Sequence, residues 1–130
     1  MKKRVLVIED NEQNLYLVTF LLERNGYRVS AARDGVIGIE QASREIPDLI
    51  LLDIQLPLLD GYAVAKQLKS RDELVDVPIV AVTSYAMPGD REKALESGCS
   101  GYIEKPINPD TFMTQIEYFL GQCTDGKDDA

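Results

Sequence analysis

The sequence contains no histidine and no tryptophan, and its 14 basic side chains are outnumbered by 22 acidic ones. Without histidine the chain has no Ser-His-Asp or Cys-His catalytic arrangement, no imidazole to complete a metal-ligand set, and no means of carrying a phosphohistidine. The net charge of −8 repels the phosphates of nucleic acids and of anionic membranes. We therefore expect no direct binding to nucleic acid and none to a membrane.

Cysteine is scarce, and long apolar runs are absent. The two thiols, Cys99 and Cys123, lie too far apart for a CxxC redox or zinc motif, and we expect both to be free and reduced. No apolar run approaches the roughly 18 residues of a membrane span. Residues 1–4 are basic like the start of a signal peptide, but the apolar stretch behind them ends after four residues. These features predict a cytoplasmic protein.

Short apolar runs alternate with stretches of helical length along the 130 residues, which is the usual size of one domain. Such alternation is typical of a parallel sheet covered by helices on both faces. The first, third and fourth runs are apolar throughout, as fully buried strands are, whereas the second alternates and the fifth is short. We predict an α/β fold of the flavodoxin-like, doubly wound type, with five helices and a five-stranded sheet in the order 2-1-3-4-5. The predicted strands lie near residues 4–8, 27–32, 48–53, 78–83 and 100–104.

Asparagine and aspartate residues mark where helices begin, because their side chains cap the free N–H groups of a first turn. The predicted helix starts are Asn11, Asp34-Gly35, Asp60-Gly61 and Asn108-Pro109. The fourth helix, over residues 90–96, offers only Ala94 and Leu95 to the core and should be weakly anchored. We expect one domain over residues 1–122 and a flexible tail over 123–130.

Polar side chains stand at four of the five predicted strand ends. Glu9-Asp10 follows the first strand, Asp53 ends the third, Thr83 ends the fourth and Lys105 follows the fifth. In a doubly wound sheet, ligands bind at the carboxyl ends of the strands, here between strands 1 and 3. Two carboxylates near 4 Å repel by about 4 kcal/mol at an effective dielectric of 20, and a hard cation removes that cost. The all-oxygen ligand set favours Mg²⁺, or else Mn²⁺, beside a phosphoryl group.

Asp53 is the best placed of the three acids to attack a phosphorus atom and become an aspartyl phosphate. Lys105 and the metal would neutralise the transferring oxygens, and Thr83 would donate a hydrogen bond to one of them. Each residue has a simpler explanation when taken alone, such as a β-branched strand end for Thr83 and a solvated surface charge for Lys105. Their common position at one edge of the sheet favours the phosphoryl site.

Several short motifs surround these residues. They are Glu9-Asp10, the run Leu-Leu-Asp-Ile-Gln-Leu-Pro around Asp53, Asp60-Gly61, Thr83-Ser84, Tyr102 and Lys105-Pro106. Any one of them is a weak signal, but together they resemble the receiver domains of bacterial two-component response regulators. The resemblance runs from residue 4 to about residue 120, and within the family the chain is similar to single-domain cell-cycle regulators.

The resemblance implies a metal site. Asp10, Asp53 and the backbone carbonyl of Gln55 would ligate Mg²⁺, and Glu9 would help directly or through water. Gln55 and Tyr85, two residues beyond the acceptor and the threonine, would tune the lifetime of the phosphoryl group. We expect the bulky Tyr85 to lengthen that lifetime by shielding the acyl phosphate from water.

The resemblance also implies a conformational switch. Thr83 would move toward the phosphoryl group and Tyr102 would turn inward, in a shift of a pre-existing two-state equilibrium. The weakly anchored helix over residues 90–96 would respond to that shift. Lys105 would pair with the phosphoryl group, and its peptide bond to Pro106 would be cis.

By the same resemblance, the phosphoryl donor would be a phosphohistidine on a sensor histidine kinase or on a histidine phosphotransfer protein. Output would be contact with a target protein through the fourth helix, fifth strand and fifth helix, from a monomer or a phosphorylation-dependent dimer. The chain would act as a switch that catalyses its own phosphorylation and dephosphorylation, and not as an enzyme on other substrates. The alternative is a receiver excised from a larger regulator or hybrid kinase with an output domain beyond Ala130.

Two other classes share parts of this pattern. Haloacid-dehalogenase-type phosphatases also use an aspartate after an apolar strand, but they need a second aspartate at the position of Gln55. A flavodoxin-like redox protein needs a hydroxyl- and glycine-rich phosphate loop after strand 1, where this chain has the acidic residues Glu9 and Asp10. Both classes are therefore disfavoured by particular residues.

Overall fold

A computed structural model describes residues 3–56, 60–83 and 89–128, with side chains described as far as residue 121. In these residues five parallel strands form one sheet in the order β2-β1-β3-β4-β5, which confirms the predicted α/β fold and strand order. Five α-helices and one short 3-10 helix connect the strands. The elements in chain order are β1 (Arg4–Ile8), α1 (Glu12–Arg24), β2 (Arg28–Ala32), α2 (Gly35–Arg44), β3 (Leu49–Asp53), α3 (Gly61–Lys69), the 3-10 turn (Asp72–Leu74), β4 (Ile79–Thr83), α4 (Asp90–Glu96), β5 (Gly101–Glu104) and α5 (Pro109–Asp128).

The central strands are buried on both faces, as their continuous apolar runs predict. Every residue of β3 and β4 is buried, whereas β2 at one edge is mostly exposed. Because side chains alternate across a strand, each central strand contributes to two separate cores. Leu6 and Ile8 of β1 face the core shared with α2, α3 and α4, while Val5 and Val7 face the core shared with α1 and α5.

The predicted helix starts are confirmed by side-chain caps. The side-chain oxygens of Asn11, Asp34, Asp60 and Asn108 each accept a hydrogen bond of 2.9 Å from a backbone N–H group of the following first turn. A capping bond of this kind satisfies a donor that the helix itself leaves free, and it is worth about 1 kcal/mol. Local sequence therefore fixes the point at which each of these helices leaves the sheet.

Two details differ from the expectations. Ala94 of α4 is fully buried as predicted, but Leu95 is 48% exposed and does not contribute to the core. The backbone of α5 remains helical to Asp128, so regular structure continues past the domain boundary predicted at residue 122. The flexibility of the tail stays a prediction, and the expectations for Ser84 and Tyr85 fall outside the described residues. None of the helices within the described ranges is both long and apolar enough to cross a membrane.

Candidate functional site

Acidic side chains from two adjacent strands meet at the carboxyl end of the sheet. Glu9 follows β1 and Asp53 ends β3, and both are almost completely buried, while Asp10 beside them is exposed. The pairing of Ile8 with Leu52 brings these two strand ends side by side. Carboxylate oxygens of the three residues lie within 4.8 Å of one another. The predicted cluster of acids is therefore present in the structure.

Lys105 brings a positive charge into this cluster. Its Nζ atom lies 3.2 Å from Glu9 Oε1 and 3.4 Å from Asp53 Oδ2, and its side chain is largely buried. The backbone N–H of Lys105 donates a hydrogen bond of 2.8 Å to the carbonyl of Thr83, which continues the pairing of β4 with β5. The Lys105–Pro106 peptide bond is cis, as the resemblance implies. One lysine thus bridges two buried carboxylates.

The charge balance of the site remains negative in spite of Lys105. The pKa of the Glu9 carboxyl is raised from its usual 4.5 to about 7, first by burial and then by a hydrogen bond with Asp53 and by the charge of Asp53. The Lys105 ammonium and the backbone N–H of Asn11, which donates to Glu9 Oε2 at 3.2 Å, act in the opposite direction. A buried negative charge on Glu9 is therefore disfavoured, mainly by the loss of solvent and secondly by the neighbouring Asp53.

These residues fit a hard divalent cation. The donor set consists of oxygen atoms only, two of its carboxylates are buried, and the exposed Asp10 leaves one side open to solvent. A cation at this point would stabilise the charged form of Glu9, which burial and the charge of Asp53 both disfavour. The chemistry of the donors and their charge match Mg²⁺, which takes one or two protein carboxylates together with water and phosphate oxygens.

Gln55 links the end of β3 to Thr83, the predicted switch residue. Its backbone N–H donates a hydrogen bond of 2.9 Å to Asp53 Oδ1, and its side-chain Nε2 donates one of 3.3 Å to Thr83 Oγ1. Thr83 is buried at the end of β4. The backbone carbonyl of Gln55 was predicted to ligate the metal ion, whereas the contact of its side chain with Thr83 was not predicted. The parallel register, which pairs Asp53 with Val82, was the signal that could have indicated it.

The first residue of α3 approaches the backbone beside Asp53 very closely. A Cβ atom on Gly61 would lie 2.5 Å from the Cα of Ile54 and 2.9 Å from the carbonyl oxygen of Asp53. No side chain fits there without moving this backbone. The N–H of Gly61 also donates a hydrogen bond of 3.2 Å to the carbonyl of Ile54. The Asp60-Gly61 motif therefore fixes the start of α3 against the backbone next to Asp53.

Tyr102 and Tyr62 lie on the α4 side of the site. Both are half-buried and pack against the core that α2, α3 and α4 share. Burial, followed by the charges of Asp90 and Glu104, raises the pKa of Tyr102. Tyr102 was predicted to be a switch residue, whereas Tyr62 was not predicted to be part of the site. The only sequence signal for Tyr62 is its position after the Asp60-Gly61 motif.

Comparisons with known proteins agree with this geometry. Residues 5–117 match the family model described as the response regulator receiver domain. The polar-differentiation response regulator DivK of Brucella anthropi is 45% identical over 123 residues, which are 95% of this chain and 100% of that protein. DivK of Brucella abortus strain 2308 is 44% identical with the same coverage.

Solved structures show the same fold. The receiver domain of a sensor histidine kinase from Pseudomonas aeruginosa PAO1, with a magnesium ion coordinated in its active-site cleft, has a TM-score of 0.86 at 33% identity, over 93% of this chain and 99% of that one. A CheY-like receiver from Methanospirillum hungatei has a TM-score of 0.90 at 27% identity, over 97% and 99% of the two chains. The family match spans most of the chain, and the acids, the threonine and the lysine lie together at the predicted edge of the sheet. The chain belongs to the response regulator receiver domain family.

Proposed function

We propose that this receiver is a phosphorylation-controlled switch in which Asp53 accepts a phosphoryl group from a phosphohistidine in a Mg²⁺-dependent reaction. The observation that carries the proposal is the pair of contacts from Lys105 Nζ to Asp53 and Glu9 at one buried edge of the sheet. An acceptor carboxylate, a fixed cation and a hydroxyl are the groups that phosphoryl transfer needs in one place.

The residues of the chain have separate tasks in this reaction. A carboxylate oxygen of Asp53 forms the new bond to phosphorus, the bond from phosphorus to the imidazole nitrogen of the donor breaks, and that nitrogen keeps the bonding electron pair. The N–H of Gln55 and the ammonium of Lys105 hold the two oxygens of Asp53 in fixed directions. Since Lys105 is already in place, the negative charge that arrives with the phosphoryl group meets a cation that need not move.

A metal adds charge that the protein lacks. Glu9, Asp10, Asp53 and the backbone carbonyl of Gln55 are the groups that would hold Mg²⁺, with Mn²⁺ as a substitute. When bound, the cation supplies charge neutralisation for the incoming phosphoryl oxygens. The magnesium ion in the related Pseudomonas receiver supports this assignment.

Thr83 and Tyr102 are the proposed switch residues. Thr83 Oγ1 accepts a hydrogen bond from Gln55, and as a hydroxyl it would also be able to donate to a phosphoryl oxygen after the switch. Movement of Thr83 toward that oxygen would let Tyr102 turn from its half-buried position, and α4 would shift with it. The change alters the surface of α4, β5 and α5, where a target protein would bind.

The donor would be a sensor histidine kinase or a histidine phosphotransfer protein in the cytoplasm. Because these 130 residues contain no histidine, the phosphohistidine would lie outside this domain. Phosphorylation would be read by contact with a target protein, either by the monomer or by a dimer formed after phosphorylation.

Acetyl phosphate tests the central step. The wild-type protein is incubated with it, with and without Mg²⁺, and intact mass and peptide mapping follow. We expect one phosphoryl adduct that needs Mg²⁺ and maps to Asp53. Asp53→Asn should give no adduct, whereas Asp72→Asn, an exposed acid on the 3-10 turn, should be labelled like wild type. An adduct at another residue, or no adduct in wild type, would refute the proposal.

A further inference from the structure

Helix α4 buries little apolar surface among the described residues. It has only seven residues, and it begins after Gly89, whose φ of 91° is left-handed and which has no side chain to cap the first turn. Ala94 is its one fully buried apolar side chain, since Leu95 is 48% exposed. Apolar burial therefore contributes little to fixing the position of α4.

The C-terminal end of α4 is fixed by α3. At Gly98, with φ at 104°, a Cβ atom would lie 2.6 Å from Cγ of Lys69, so the lysine chain fills the space of the missing side chain. Lys69 Nζ in turn donates hydrogen bonds of 3.0 Å to the carbonyl of Val75 and 2.6 Å to that of Val77. These bonds hold the lysine across the end of α4, which makes this end a suitable pivot.

Among the described residues, a cation–π contact joins α3 and α4. Lys93 Nζ of α4 lies 5.2 Å from the centre of the Tyr62 ring on the first turn of α3. Tyr62 is itself fixed, because its N–H donates a hydrogen bond of 2.9 Å to Asp60 and it follows Gly61, which packs on the backbone beside Asp53. The Tyr62 ring therefore provides a fixed surface for the ammonium of α4.

Tyr62 also lies among the groups that the switch would move. Tyr62 lies on α3 and packs against the same core as Tyr102, which lies on β5. Burial raises the pKa of its phenol to about 12, and the nearby charges of Asp90 on α4 and of Tyr102 contribute after burial. A movement of α4 or of Tyr102 would thus change the surroundings of Tyr62 directly.

We propose that Tyr62 and Lys93 form a clip that holds the middle of α4 against the first turn of α3, and that this clip biases the receiver toward its unswitched state. α4 would leave the clip by pivoting about Gly98, where Lys69 holds its C-terminal end. The clip itself follows from the contacts, while its effect on signalling rests on the proposed function. Within that function Tyr62 and Lys93 are positioning residues, since neither touches the acceptor.

The expected size of the effect follows from the contact. A cation over an aromatic ring at a partly exposed site changes a two-state equilibrium about two- to fivefold. Loss of the clip should therefore raise the population in which α4 is displaced by about two- to fivefold. The protein should otherwise remain folded as before, because Lys93 is exposed.

Hydrogen exchange of the unphosphorylated protein tests the clip without any phosphoryl chemistry. Lys93→Met keeps the aliphatic chain and removes the charge, and Lys93→Arg keeps the charge as its matched control. Amides at residues 93–97 should exchange about two- to fivefold faster in Lys93→Met than in wild type or Lys93→Arg. Amides at residues 112–116 of α5 should be unchanged. Equal α4 exchange rates in the methionine and arginine variants would overturn the proposal.

Replacing the ring provides the second half of the test. Tyr62→Phe keeps the aromatic face and should behave like wild type, whereas Tyr62→Leu should speed α4 exchange as Lys93→Met does. Because both changes remove one contact, the double variant Lys93→Met with Tyr62→Leu should exchange no faster than Tyr62→Leu alone. Fully additive effects would show that the two residues act independently and would refute the clip.

Labelling by acetyl phosphate with Mg²⁺ then tests the consequence for the switch. Lys93→Met should be phosphorylated about two- to fivefold faster than Lys93→Arg. The reason is that the state with α4 displaced, which would accept the phosphoryl group, is more populated in Lys93→Met. If wild type takes no phosphoryl group while α4 exchange changes as expected, the proposed function fails and the clip stands. If labelling occurs normally but α4 exchange and labelling rates are equal in the two variants, the clip fails and the proposed function stands.

Discussion

Replacement of Lys105 by methionine tests the charge balance of the site. The ammonium lies 3.2 Å from Glu9 Oε1 and 3.4 Å from Asp53 Oδ2, and both carboxylates are buried. Methionine keeps the length of the side chain and much of its apolar contact but removes the cation. The folded variant then holds two neighbouring acids without the cation between them.

The structure gives the size of the loss. At an effective dielectric of 20, an ion pair at 3.2 or 3.4 Å has about 5 kcal/mol of Coulomb attraction. Two effects reduce the net cost. The lysine no longer needs to be desolvated, and Glu9, whose pKa is already raised to about 7, takes up a proton more readily once the ammonium that lowers this pKa is gone. Removal of one partner from a buried pair costs about 3–5 kcal/mol. Since Glu9 can protonate, we expect a loss near the lower end, about 3 kcal/mol.

Urea unfolding at pH 8 in EDTA measures this loss. Lys66→Met is the matched control, because Lys66 is an exposed lysine of α3 and its replacement should change the free energy of unfolding by less than about 0.5 kcal/mol. Excess Mg²⁺ should restore more stability to Lys105→Met than it adds to wild type, since the cation replaces the missing charge. A loss below about 1 kcal/mol for Lys105→Met in EDTA would refute the charge argument.

Three further predictions follow from other contacts. Gly61→Ala should lower the free energy of unfolding by about 2 kcal/mol, because its Cβ would meet backbone atoms beside Asp53. The control Gly121→Ala, whose Cβ would meet no atom within 4 Å, should be neutral or stabilising. Equal thermal midpoints for the two variants would contradict this. EDTA should lower the thermal midpoint of the Mg²⁺-loaded wild type but not that of Asp53→Asn, and equal shifts would place the cation elsewhere. Burial raises the pKa of the Cys99 thiol from 9.0 to about 11. The stability that the buried, protonated thiol contributes should therefore be complete below about pH 9 and be lost as the pH rises toward 11, because unfolding then allows the thiol to ionise. In Cys123→Ser, a thiol reagent at pH 8 should therefore modify native Cys99 at least about a hundredfold more slowly than the urea-unfolded chain, and similar rates would show that Cys99 is accessible.

Most of the fold was predictable because its signals are local. A continuous apolar run indicates a buried strand, and a capping asparagine or aspartate indicates a helix start, whatever the rest of the chain does. The strand order then followed from which runs are buried on both faces. Once the order was fixed, the meeting of Glu9, Asp53 and Lys105 at one edge was a consequence of parallel topology and needed no knowledge of side-chain contacts.

The missed features depend on how side chains pack. Ala94 and Leu95 are adjacent on α4, about 100° apart around the helix axis, and the way α4 is rotated against the sheet buries Ala94 and exposes Leu95. Nothing in the local sequence decides which of the two is buried. The contacts of Tyr62 with Lys93 and of Gln55 with Thr83 join residues that are distant in sequence, and they depend on how closely α3, α4 and β4 approach.

The backbone of α5 is helical to Asp128, past the domain boundary predicted at residue 122. Helical backbone bonds are local and do not need an apolar stripe, so the loss of the stripe after Leu120 does not predict where the helix ends. The flexibility of residues 123–130 stays a prediction.

The uneven burial of the helices favours α4 as the element that would respond under the proposed function. A ligand can shift a conformational equilibrium only by the difference in its affinity for the two states. In α5, Phe112 and Ile116 are fully buried, and exposing either side chain would cost about 1.5–3 kcal/mol. In α4 only the methyl group of Ala94 is buried to that degree, and the contact of Lys93 with Tyr62 adds a preference of about two- to fivefold. Under the proposed function, a hydrogen bond from Thr83 to a phosphoryl oxygen, at about 1.5–3 kcal/mol for a charged acceptor, would exceed the preference from the Lys93–Tyr62 contact but not the cost of exposing both Phe112 and Ile116.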